Sequence, residues 1–537
     1  MYIVRLLAGV DRYHSIVTLK RFSSRLIIPL AISLLFAAPQ ASTQVLPSKP
    51  INLPNLGDTE RQELSPLIER KLGEQIMYEI RSNKDYLDDE PILEYLNELG
   101  NKLVAAHPGA RGEASFNYGF FAVRDNQLNA FALPGGFIGV HSALLLAAQN
   151  ESELASVLGH EIGHVAQRHI ARQLGQQKTD ALIPLAAMVL AALAMKSSPD
   201  AAMGVMMGGQ GLAIQRQLNF GRDAEREADR VGFQIMGEAG YDTSGMVAFF
   251  QRMQTATRNY SDNVPAYLLT HPLTTERIAD IQARIREQPY RQRADSLAFH
   301  LIRARARVLQ DESSQGLAES IRYFQDLLLQ DNRQQKTAGQ YGLAFAMLKK
   351  GDFAAAQSWL DKALATVNAP APAGALGVAR QDVAPTVFTS LSLDIKLAQE
   401  SNAPLIKAAL AEAESAHQKY PLSRGIAHQY AKAMIVAGNT EEAARFLRDQ
   451  VQQYREEPEG FDLLAEAYAK QGKMALQHMA LAESYMLQGG MLAAIDQLGL
   501  ARKSPDASFY DQSQIDARER EFKQRRKEAM GDKYKEP

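Results

Sequence analysis

The sequence contains no cysteine, a single tryptophan and no large excess of either charge. Disulfides, thiolate metal sites and a cysteine nucleophile are therefore excluded, so any bound metal must use histidine and carboxylate side chains. The 59 basic and 61 acidic residues give a formal net charge of −2, and this balance predicts no nucleic-acid partner. Long apolar runs are also few, and 46% hydrophobic residues is the composition of an ordinary globular protein.

The N-terminal region has the layout of a secretory signal peptide. Basic residues within 20–25 precede an apolar run at 26–38, and small residues follow up to Ala41. The run is shorter than the roughly 20 residues that a transmembrane helix needs. We therefore expect residues 1–41 to be a signal peptide and 42–57 to be a linker, which predicts a periplasmic protein. A buried or anchoring helix is the alternative.

Hydrophobic periodicity and cap residues predict that the next region mixes helices with a few strands. The expected helices are 58–83, 90–106, Asn150 to about Leu174, 219–239, 243–257 and one that starts near Thr274. The expected strands are 116–123 and two strands, joined by a turn, within 129–141. Asn150 with Glu153 is typical of a capping box, and Asp242 is the expected N-cap of the helix at 243–257.

Two apolar stretches separate the predicted helices in the middle of this region. Residues 181–195 are almost wholly apolar, and 203–214 are rich in glycine and methionine. Each is too short to predict a membrane span by itself. We consider three interpretations: a lid over a cleft, an interfacial membrane contact and a part of the hydrophobic core. We favour a lid that touches a membrane or a partner.

The last part of the chain has helical spacing throughout and a recurring pattern of small residues. Four glycines each have an alanine seven residues earlier, and three of them also have an alanine five residues later: Gly351, Gly438, Gly472 and Gly489 after Ala344, Ala431, Ala465 and Ala482, with Ala356, Ala443 and Ala494 following. The interval from Gly438 to Gly472 is 34 residues, the period of tetratricopeptide repeats. We predict a helical repeat domain at 296–537, interrupted by a Pro/Ala/Gly-rich loop at 368–385. A generic all-α bundle is the alternative.

The strongest chemical signal is the segment His160-Glu161-Ile162-Gly163-His164. On a helix, residues four apart share a face, so His160 and His164 can both reach one Zn²⁺. Glu161 lies one step round the helix, where it can accept a proton from the water that attacks a peptide carbonyl. The alternative to a metal site is that these are two ordinary histidines of the protein core. The pattern predicts a zinc peptidase with one Zn²⁺ per chain.

A catalytic zinc also needs a third protein ligand. Glu225 and Asp229 are four residues apart on a predicted helix and therefore share a face. Glu225 can then bind the metal, while Asp229 hydrogen-bonds a ligand imidazole from outside. Glu227 is the competing ligand, but it points to another side of the helix. A solvated acidic helix face is the alternative without a metal.

These motifs together resemble the HtpX/Oma-type zinc peptidases. The resemblance rests on HExxH, on ExxxD at Glu225 and Asp229, on the stretch from Asn129 to Gly136 and on Thr270-His271-Pro272. Predicted export and a C-terminal repeat domain make the chain similar to the periplasmic BepA-like branch, the β-barrel assembly-enhancing proteases. The resemblance implies an α+β zincin (gluzincin) protease domain at 58–295, within a fold that is mostly α with a small β-sheet.

The resemblance also implies roles for individual residues. It makes His160, His164 and Glu225 the zinc ligands, Glu161 the catalytic base and Asp229 an orienting residue. It further places a short segment on an edge strand that pairs with substrate backbone, and the candidate substrate-binding residues there are Asn129, Ala130, Phe131, Gly135 and Gly136.

His271 and Arg277 are the remaining candidates for catalysis, because the resemblance places them near the zinc. His271 can stabilise the oxyanion, occupy the fourth metal position and hold the enzyme off, or play a plain structural role. Two roles are considered for Arg277: oxyanion stabilisation and a salt bridge. We expect the other histidines, such as His141 and His169, to be structural or exposed.

Three functions follow from these predictions. The first is an exported endopeptidase that degrades stalled or misfolded envelope proteins, with a repeat domain that binds the β-barrel assembly machinery and contributes chaperone activity. The second is a non-proteolytic chaperone or scaffold with a structural zinc, which would have no need of Glu161. The third is a membrane-embedded relative, which requires true membrane spans.

Overall fold

A computed structural model describes residues 65–112, 114–175, 221–259, 266–288, 291, 293–370 and 385–530 of the 537-residue chain. The predicted signal peptide, the linker, the apolar segments 181–195 and 203–214 and most of the loop at 368–385 lie outside the described residues. Within the described part, no helix has the length and apolar content needed to cross a membrane.

The first region consists of helices around one small sheet. Its helices are α1 (Pro66–Ser82), α2 (Glu90–Ala106), α3 (Ser142–Ala147), α4 (Glu151–Ala166), α5 (His169–Gly175), α6 (Arg222–Glu238), α7 (Ser244–Asn259), α8 (Ala266–Thr270) and α9 (Thr275–Arg286). Its strands are β1 (Gly119–Val123), β2 (Ala130–Leu133) and β3 (Phe137–His141). The prediction of a mostly helical fold with a small sheet is confirmed.

The sheet has the order β1-β3-β2, so β3 is central and β2 lies at an edge. β1 runs parallel to β3, whereas β2 is antiparallel to it. A one-turn 3-10 helix at Pro134–Gly136 joins β2 to β3. Gly135 and Gly136 have φ of 78° and 92° there, a backbone region that residues with a Cβ rarely adopt. The predicted strand–turn–strand segment is therefore confirmed.

Most of the predicted helix boundaries hold, and cap residues explain them. α2 covers Glu90–Ala106 as predicted, and Thr274 caps α9 by accepting a hydrogen bond from the Arg277 N–H. The first predicted strand is shorter than expected and begins at Gly119. Asp242 lies before α7 rather than at its N-cap, and its carboxylate accepts a hydrogen bond from the Ser244 N–H at 2.9 Å.

The predicted helix from Asn150 to about Leu174 is wrong in its second half. Asn150 does cap it, since its Oδ1 accepts a hydrogen bond from the Glu153 N–H at 2.9 Å. The helix then ends at Ala166, and Arg168 takes a left-handed φ of 51° before α5 begins. A salt bridge of 2.9 Å from Arg168 to the buried Glu69 stabilises the backbone at this interruption of the helix.

The second region is entirely helical among the described residues. Its helices are α10 (Leu297–Gln310), α11 (Ser314–Leu327), α12 (Arg333–Lys349), α13 (Phe353–Asn368), α14 (Pro385–Leu397), α15 (Ala403–Lys419), α16 (Arg424–Val436), α17 (Thr440–Gln453), α18 (Pro458–Lys470), α19 (Met474–Leu487), α20 (Met491–Lys503) and α21 (Phe509–Met530). Helices that follow each other along the chain pack together as hairpins.

The four glycines of the repeat pattern lie between consecutive helices, and all have left-handed φ between 71° and 86°. The alanines that precede and follow them are at most 2% exposed, so they let the paired helices approach closely. The pattern is not strictly periodic, because Gly489 follows Gly472 after half of the 34-residue interval. Helix α19 therefore forms a hairpin with both α18 and α20. The tetratricopeptide assignment itself stays a prediction.

The two regions are joined at the N-terminal end of α2 by buried polar contacts. Arg305 on α10 lies 2.7 Å from both carboxylate oxygens of Asp89, the N-cap of α2. Glu94 accepts hydrogen bonds from the Ser423 hydroxyl at 2.8 Å and from the Gly425 N–H at 2.9 Å, at the start of α16. α2 therefore contacts two helices of the second region, α10 and α16, while it packs within the first region.

Candidate metal centre

Two helices cross closely because small residues meet at the crossing. On α4, Gly159 faces Gly232 of α6, and Gly163 faces Ala228. A Cβ added at Gly232 would lie 2.8 Å from the backbone of Gly159 and of His160, a distance at which side chains do not fit. The glycine inside the HExxH segment thus has a packing function, which brings the acidic face of α6 against the two histidines.

The three predicted ligands meet at this crossing. The Nε2 atoms of His160 and His164 are 3.0 Å apart. Glu225 places one carboxylate oxygen 3.5 Å from the His160 Nε2 and the other 3.4 Å from the His164 Nε2. Both imidazoles are 0% exposed and Glu225 is 1% exposed. Two imidazole nitrogens and one carboxylate are a donor set that zinc accepts.

A fourth donor, His271, lies in the same cluster. One ligand atom from each of His160, His164, Glu225 and His271 falls within 4.8 Å of the others. The His271 Nδ1 is 3.0 Å from Glu225 Oε1 and 3.3 Å from the His160 Nε2. The imidazole therefore directs Nδ1 toward the other donors, and its Nε2 lies 3.6 Å from Glu161.

Glu161 stands beside the cluster, with its carboxylate 3.6 Å from the His271 Nε2. Its side chain is 0% exposed, and neither carboxylate oxygen has a hydrogen-bond partner among the described residues. Burial raises the pKa of Glu161, because an ionised carboxylate is poorly solvated there. A buried carboxylate with unused oxygens and an increased proton affinity is suited to accept a proton from a substrate water.

Asp229 and Arg277 form a second layer behind His160. Asp229 Oδ1 is 2.9 Å from the His160 Nδ1, on the ring side opposite the cluster. Arg277 binds Asp229 with two hydrogen bonds, of 2.6 and 2.8 Å, and its Nη1 lies 2.7 Å from Glu225. The guanidinium is 2% exposed. Of the two roles considered for Arg277, the geometry favours the salt bridge.

Charges in the cluster keep Glu225 and Asp229 on α6 ionised. Burial acts to raise the pKa of Glu225, but His271, His160 and His164 outweigh it and hold that pKa well below its usual range. Burial is likewise outweighed at Asp229, whose pKa is lowered by hydrogen bonds from Arg277 and His160. An ionised Glu225 is the form that binds a divalent cation.

Glu227, the competing ligand, points away from the cluster. Its carboxylate is 41% exposed and lies 3.1 Å from the His169 Nε2 and 2.9 Å from Arg172. The His169 Nδ1 lies 2.8 Å from the His164 Nδ1. His169 was expected to be structural or exposed, and on the continuous helix predicted to about Leu174 it would not have shared a face with His164. The break at Arg168 removes that premise.

Tyr267 is a second site residue that the sequence reasoning missed. Its ring packs on His271 with centroids 4.8 Å apart, and its buried hydroxyl has no hydrogen-bond partner among the described residues. Its position four residues before His271 is the available signal, since His271 directly follows α8 and its N–H donates a hydrogen bond to the Tyr267 carbonyl at 2.8 Å. The pair shows how α8 presents His271 to the cluster.

The candidate substrate-binding segment runs along the edge strand. Ala130 and Phe131 belong to β2, and the Asn129 carbonyl accepts a hydrogen bond from the His141 N–H at 3.0 Å. β2 also packs against α4, which carries the histidines. Gly135 and Gly136 are explained by the turn itself: Arg70 donates a hydrogen bond to the Gly135 carbonyl, and added Cβ atoms would meet α1 and Phe116.

Comparison with known proteins agrees with this arrangement. The sequence profile described as Peptidase family M48 matches residues 94–285. A β-barrel assembly-enhancing protease from Yersinia pestis is 31% identical over 497 residues, which cover 92% of this chain and 96% of that protein. The protein of that name from Escherichia coli K12 is 29% identical over 87% of this chain and 90% of its own length.

Shorter similarities extend to other proteins. A Vibrio cholerae protein, provisionally assigned to the same protease group, is 37% identical over 53% of this chain and 57% of its own length. A mitochondrial metalloendopeptidase of Arabidopsis thaliana is 29% identical over 37% of this chain and 38% of its own length. The near full-length match at 31% identity and the buried histidine–carboxylate cluster lead to one conclusion: the chain belongs to peptidase family M48 and is a zinc metalloprotease.

Proposed function

We propose that the protein is an exported, periplasmic endopeptidase that cleaves misfolded or stalled proteins of the bacterial envelope. Its helical region, predicted as a tetratricopeptide domain at 296–537, would dock it on the outer-membrane β-barrel assembly machinery and contribute chaperone activity. The names of the near full-length relatives support the link to β-barrel assembly. The basic and apolar pattern before Ala41 supports export, and peripheral membrane contact through 181–214 is part of the proposal.

The observation that carries the enzymatic part is the convergence of His160, His164 and Glu225 around one point, with Glu161 beside them. When bound there, zinc acts as a Lewis acid that polarises the scissile carbonyl and the attacking water. Glu161 is proposed to take the proton of that water and to pass it to the leaving amine. Asp229 holds the His160 ring through Nδ1, so that Nε2 stays directed at the metal.

Substrate recognition is proposed to occur along β2. An edge strand has backbone N–H and C=O groups on its outer side, and an extended peptide can pair with them as an additional strand. Asn129, Ala130 and Phe131 would provide those groups, while the turn at Gly135 and Gly136 fixes where the strand ends. Because β2 packs against α4, a peptide on this edge would lie near His160 and Glu161.

We propose that the conformation described here is a latent one. With His271 among the donors, four protein groups surround the metal position, whereas a catalytic zinc usually keeps one position open. His271→Ala should therefore increase casein cleavage, and zinc should still bind through three ligands. If His271 stabilised the oxyanion instead, the variant would lose about 10²–10³-fold in kcat, so the two roles predict opposite signs.

The same four-donor cluster is the one observation that favours the scaffold alternative, since structural zinc sites are closed. Glu161→Gln separates the two functions, because it removes the base while preserving the size of the side chain. The protease proposal predicts loss of casein cleavage with zinc content and unfolding midpoint unchanged. Cleavage at the wild-type rate would contradict the proposed role of Glu161.

The experiment that tests the metal site compares wild type with Glu225→Gln and Glu227→Gln. Metal content of the purified mature chain and casein cleavage are measured in parallel. We expect one zinc per chain, lost by Glu225→Gln and retained by Glu227→Gln, because Glu227 lies outside the cluster and a glutamine there still offers an oxygen that can accept from His169. Wild-type protein without zinc, or a loss specific to Glu227→Gln, would refute the ligand assignment.

A further inference from the structure

A left-handed residue interrupts the chain directly after the zinc-binding helix. Arg168 has φ of 51°, which is uncommon for a residue with a side chain and is often associated with functional sites. Its guanidinium is held by Glu69, which is itself 2% exposed. Had α4 continued, a residue five positions after His164 would be rotated about 140° away from it. The break instead returns the chain so that His169 faces His164.

His169 contacts His164 on the side away from the cluster. The two Nδ1 atoms are 2.8 Å apart, and His169 is 4% exposed. Because the His164 Nε2 faces His160 and Glu225, its lone pair is the one available to a metal. In that tautomer the His164 Nδ1 carries the proton and donates it to the His169 Nδ1.

The far side of His169 is fixed by a charged pair. Its Nε2 lies 3.1 Å from Glu227, and Glu227 lies 2.9 Å from Arg172 on the same side. A neutral His169 that accepts at Nδ1 must carry its proton at Nε2, where the Glu227 carboxylate accepts it. Hydrogen bonds therefore run in one direction, from His164 to His169 and from His169 to Glu227.

We infer that His169 is a positioning residue for the metal centre, which accepts the His164 Nδ1 proton and fixes that ring with Nε2 toward the zinc. Glu227 completes the chain by orienting His169. The inference rests on the proposed ligand set. It assigns each ligand histidine a separate outer partner: Asp229 for His160 and His169 for His164. Such outer partners fix the tautomer and raise the basicity of a ligand imidazole.

The test measures zinc affinity of the full chain by chelator competition, with Co²⁺-substituted absorption spectra as a second readout. His169→Leu keeps an apolar volume but removes the acceptor, and His169→Asn returns an acceptor near the Nδ1 position. His107→Leu is the matched control, because His107 also pairs with a carboxylate, at 2.8 Å from Glu238, but lies outside the cluster. Thermal unfolding of each metal-free variant is recorded beside these measurements.

We expect His169→Leu to weaken zinc binding by about 10–100-fold and to shift the Co²⁺ spectrum, while His169→Asn recovers most of the affinity and His107→Leu changes neither. Zinc affinity and a Co²⁺ spectrum equal to wild type in His169→Leu would overturn the inference. If His169→Leu does not fold, Glu227→Ala tests the inference instead, because it leaves His169 in place and should also weaken zinc binding. Zinc affinity equal to wild type in Glu227→Ala would then overturn the inference. Failure of wild type to bind zinc at His160, His164 and Glu225 would instead count against the proposed function.

Discussion

The close crossing of α4 and α6 makes one glycine a sharp test of how the fold builds the site. Alanine at position 232 would favour the helix by about 1 kcal/mol through propensity alone. Its Cβ, however, would lie 2.8 Å from backbone atoms of Gly159 and His160, and 3.4 Å is the lower end of ordinary contact. The two helices must therefore separate by about half an ångström, and overpacking of this kind costs about 1–3 kcal/mol. We expect Gly232→Ala to lower the free energy of unfolding by about 0–2 kcal/mol.

The effect on the metal centre should be larger than the effect on stability. Glu225 and Asp229 are carried by α6, so they move with that helix, whereas His160 stays on α4. Misplacement by about 1 Å can reduce activity by about 10²-fold, so half of that shift should reduce kcat/KM for casein by about tenfold. Zinc affinity, measured by chelator competition, should fall as well.

A matched control separates this effect from helix propensity. Gly499 lies inside α20, and no heavy atom is within 4 Å of a Cβ built there. Gly499→Ala should therefore raise the free energy of unfolding by about 0.5–1 kcal/mol with activity and zinc affinity unchanged. Urea unfolding and casein cleavage of both variants are compared with wild type. Wild-type activity and zinc affinity in Gly232→Ala would refute the proposed dependence of the site on this crossing.

Two further predictions concern the contact between the two regions. Arg305→Met should lower the free energy of unfolding by about 3–5 kcal/mol, because it leaves the buried Asp89 carboxylate without its cation; an unchanged urea midpoint would contradict this. Burial acts to lower the pKa of His428, but Glu459 and Glu90 raise it to about 10. The folded state thus keeps a proton that the unfolded chain releases above a pH of about 6.5, so this stabilisation is complete below that pH and is lost as the pH rises toward 10. Burial raises the pKa of Glu90 to about 7, which makes stability fall with rising pH from about 4.5 to 7 as well. Urea midpoints across pH should show this decline, with a flatter profile in His428→Gln; an equal slope in both proteins would exclude His428 as its source.

The pairing of the candidate ligand residues was predictable, because it follows from helix geometry. Residues four apart share a helical face, so His160 with His164 and Glu225 with Asp229 could each be paired before any fold was known. The sequence also separated Glu225 from Glu227, which lies on another side of α6. The spacing could not place α6 against α4. That contact depends on Gly159 and Gly232, whose role appears only when the two helices are packed.

The position of His169 beside His164 could not be predicted, because helical spacing misleads at this point of the chain. Helical spacing was applied through a point where the helix ends, and no glycine or proline marks that end. Arg168 adopts a left-handed φ because tertiary contacts hold it there, above all the salt bridge to Glu69, which is 99 residues earlier in the chain. A long-range contact that overrides local propensity leaves no local signal. Strained positions of this kind are where reasoning from sequence is expected to fail and where functional residues are often found.

The helical hairpins of the second region show which structural features a pattern of small residues can predict. Gly438 and Gly472 mark the turns between helices, since left-handed φ at such points favours glycine. The same pattern could not reveal that α19 pairs on both sides, because Gly489 reads equally well as the turn of a new repeat. Nor could it indicate where the hairpins contact the protease region, which depends on single polar residues such as Glu94.

Helix α2 gives the contact between the regions a physical route toward the site. Its N-terminal half binds the start of α16 through Glu94. One turn further along, the Asn97 side chain donates a hydrogen bond to the Phe120 carbonyl at 2.7 Å and accepts one from the Phe120 N–H at 3.0 Å. Phe120 pairs with Ile138 of β3, and β3 pairs with the edge strand β2. Helix α2 therefore contacts both the start of α16 and the sheet whose edge strand β2 is the proposed site of substrate docking.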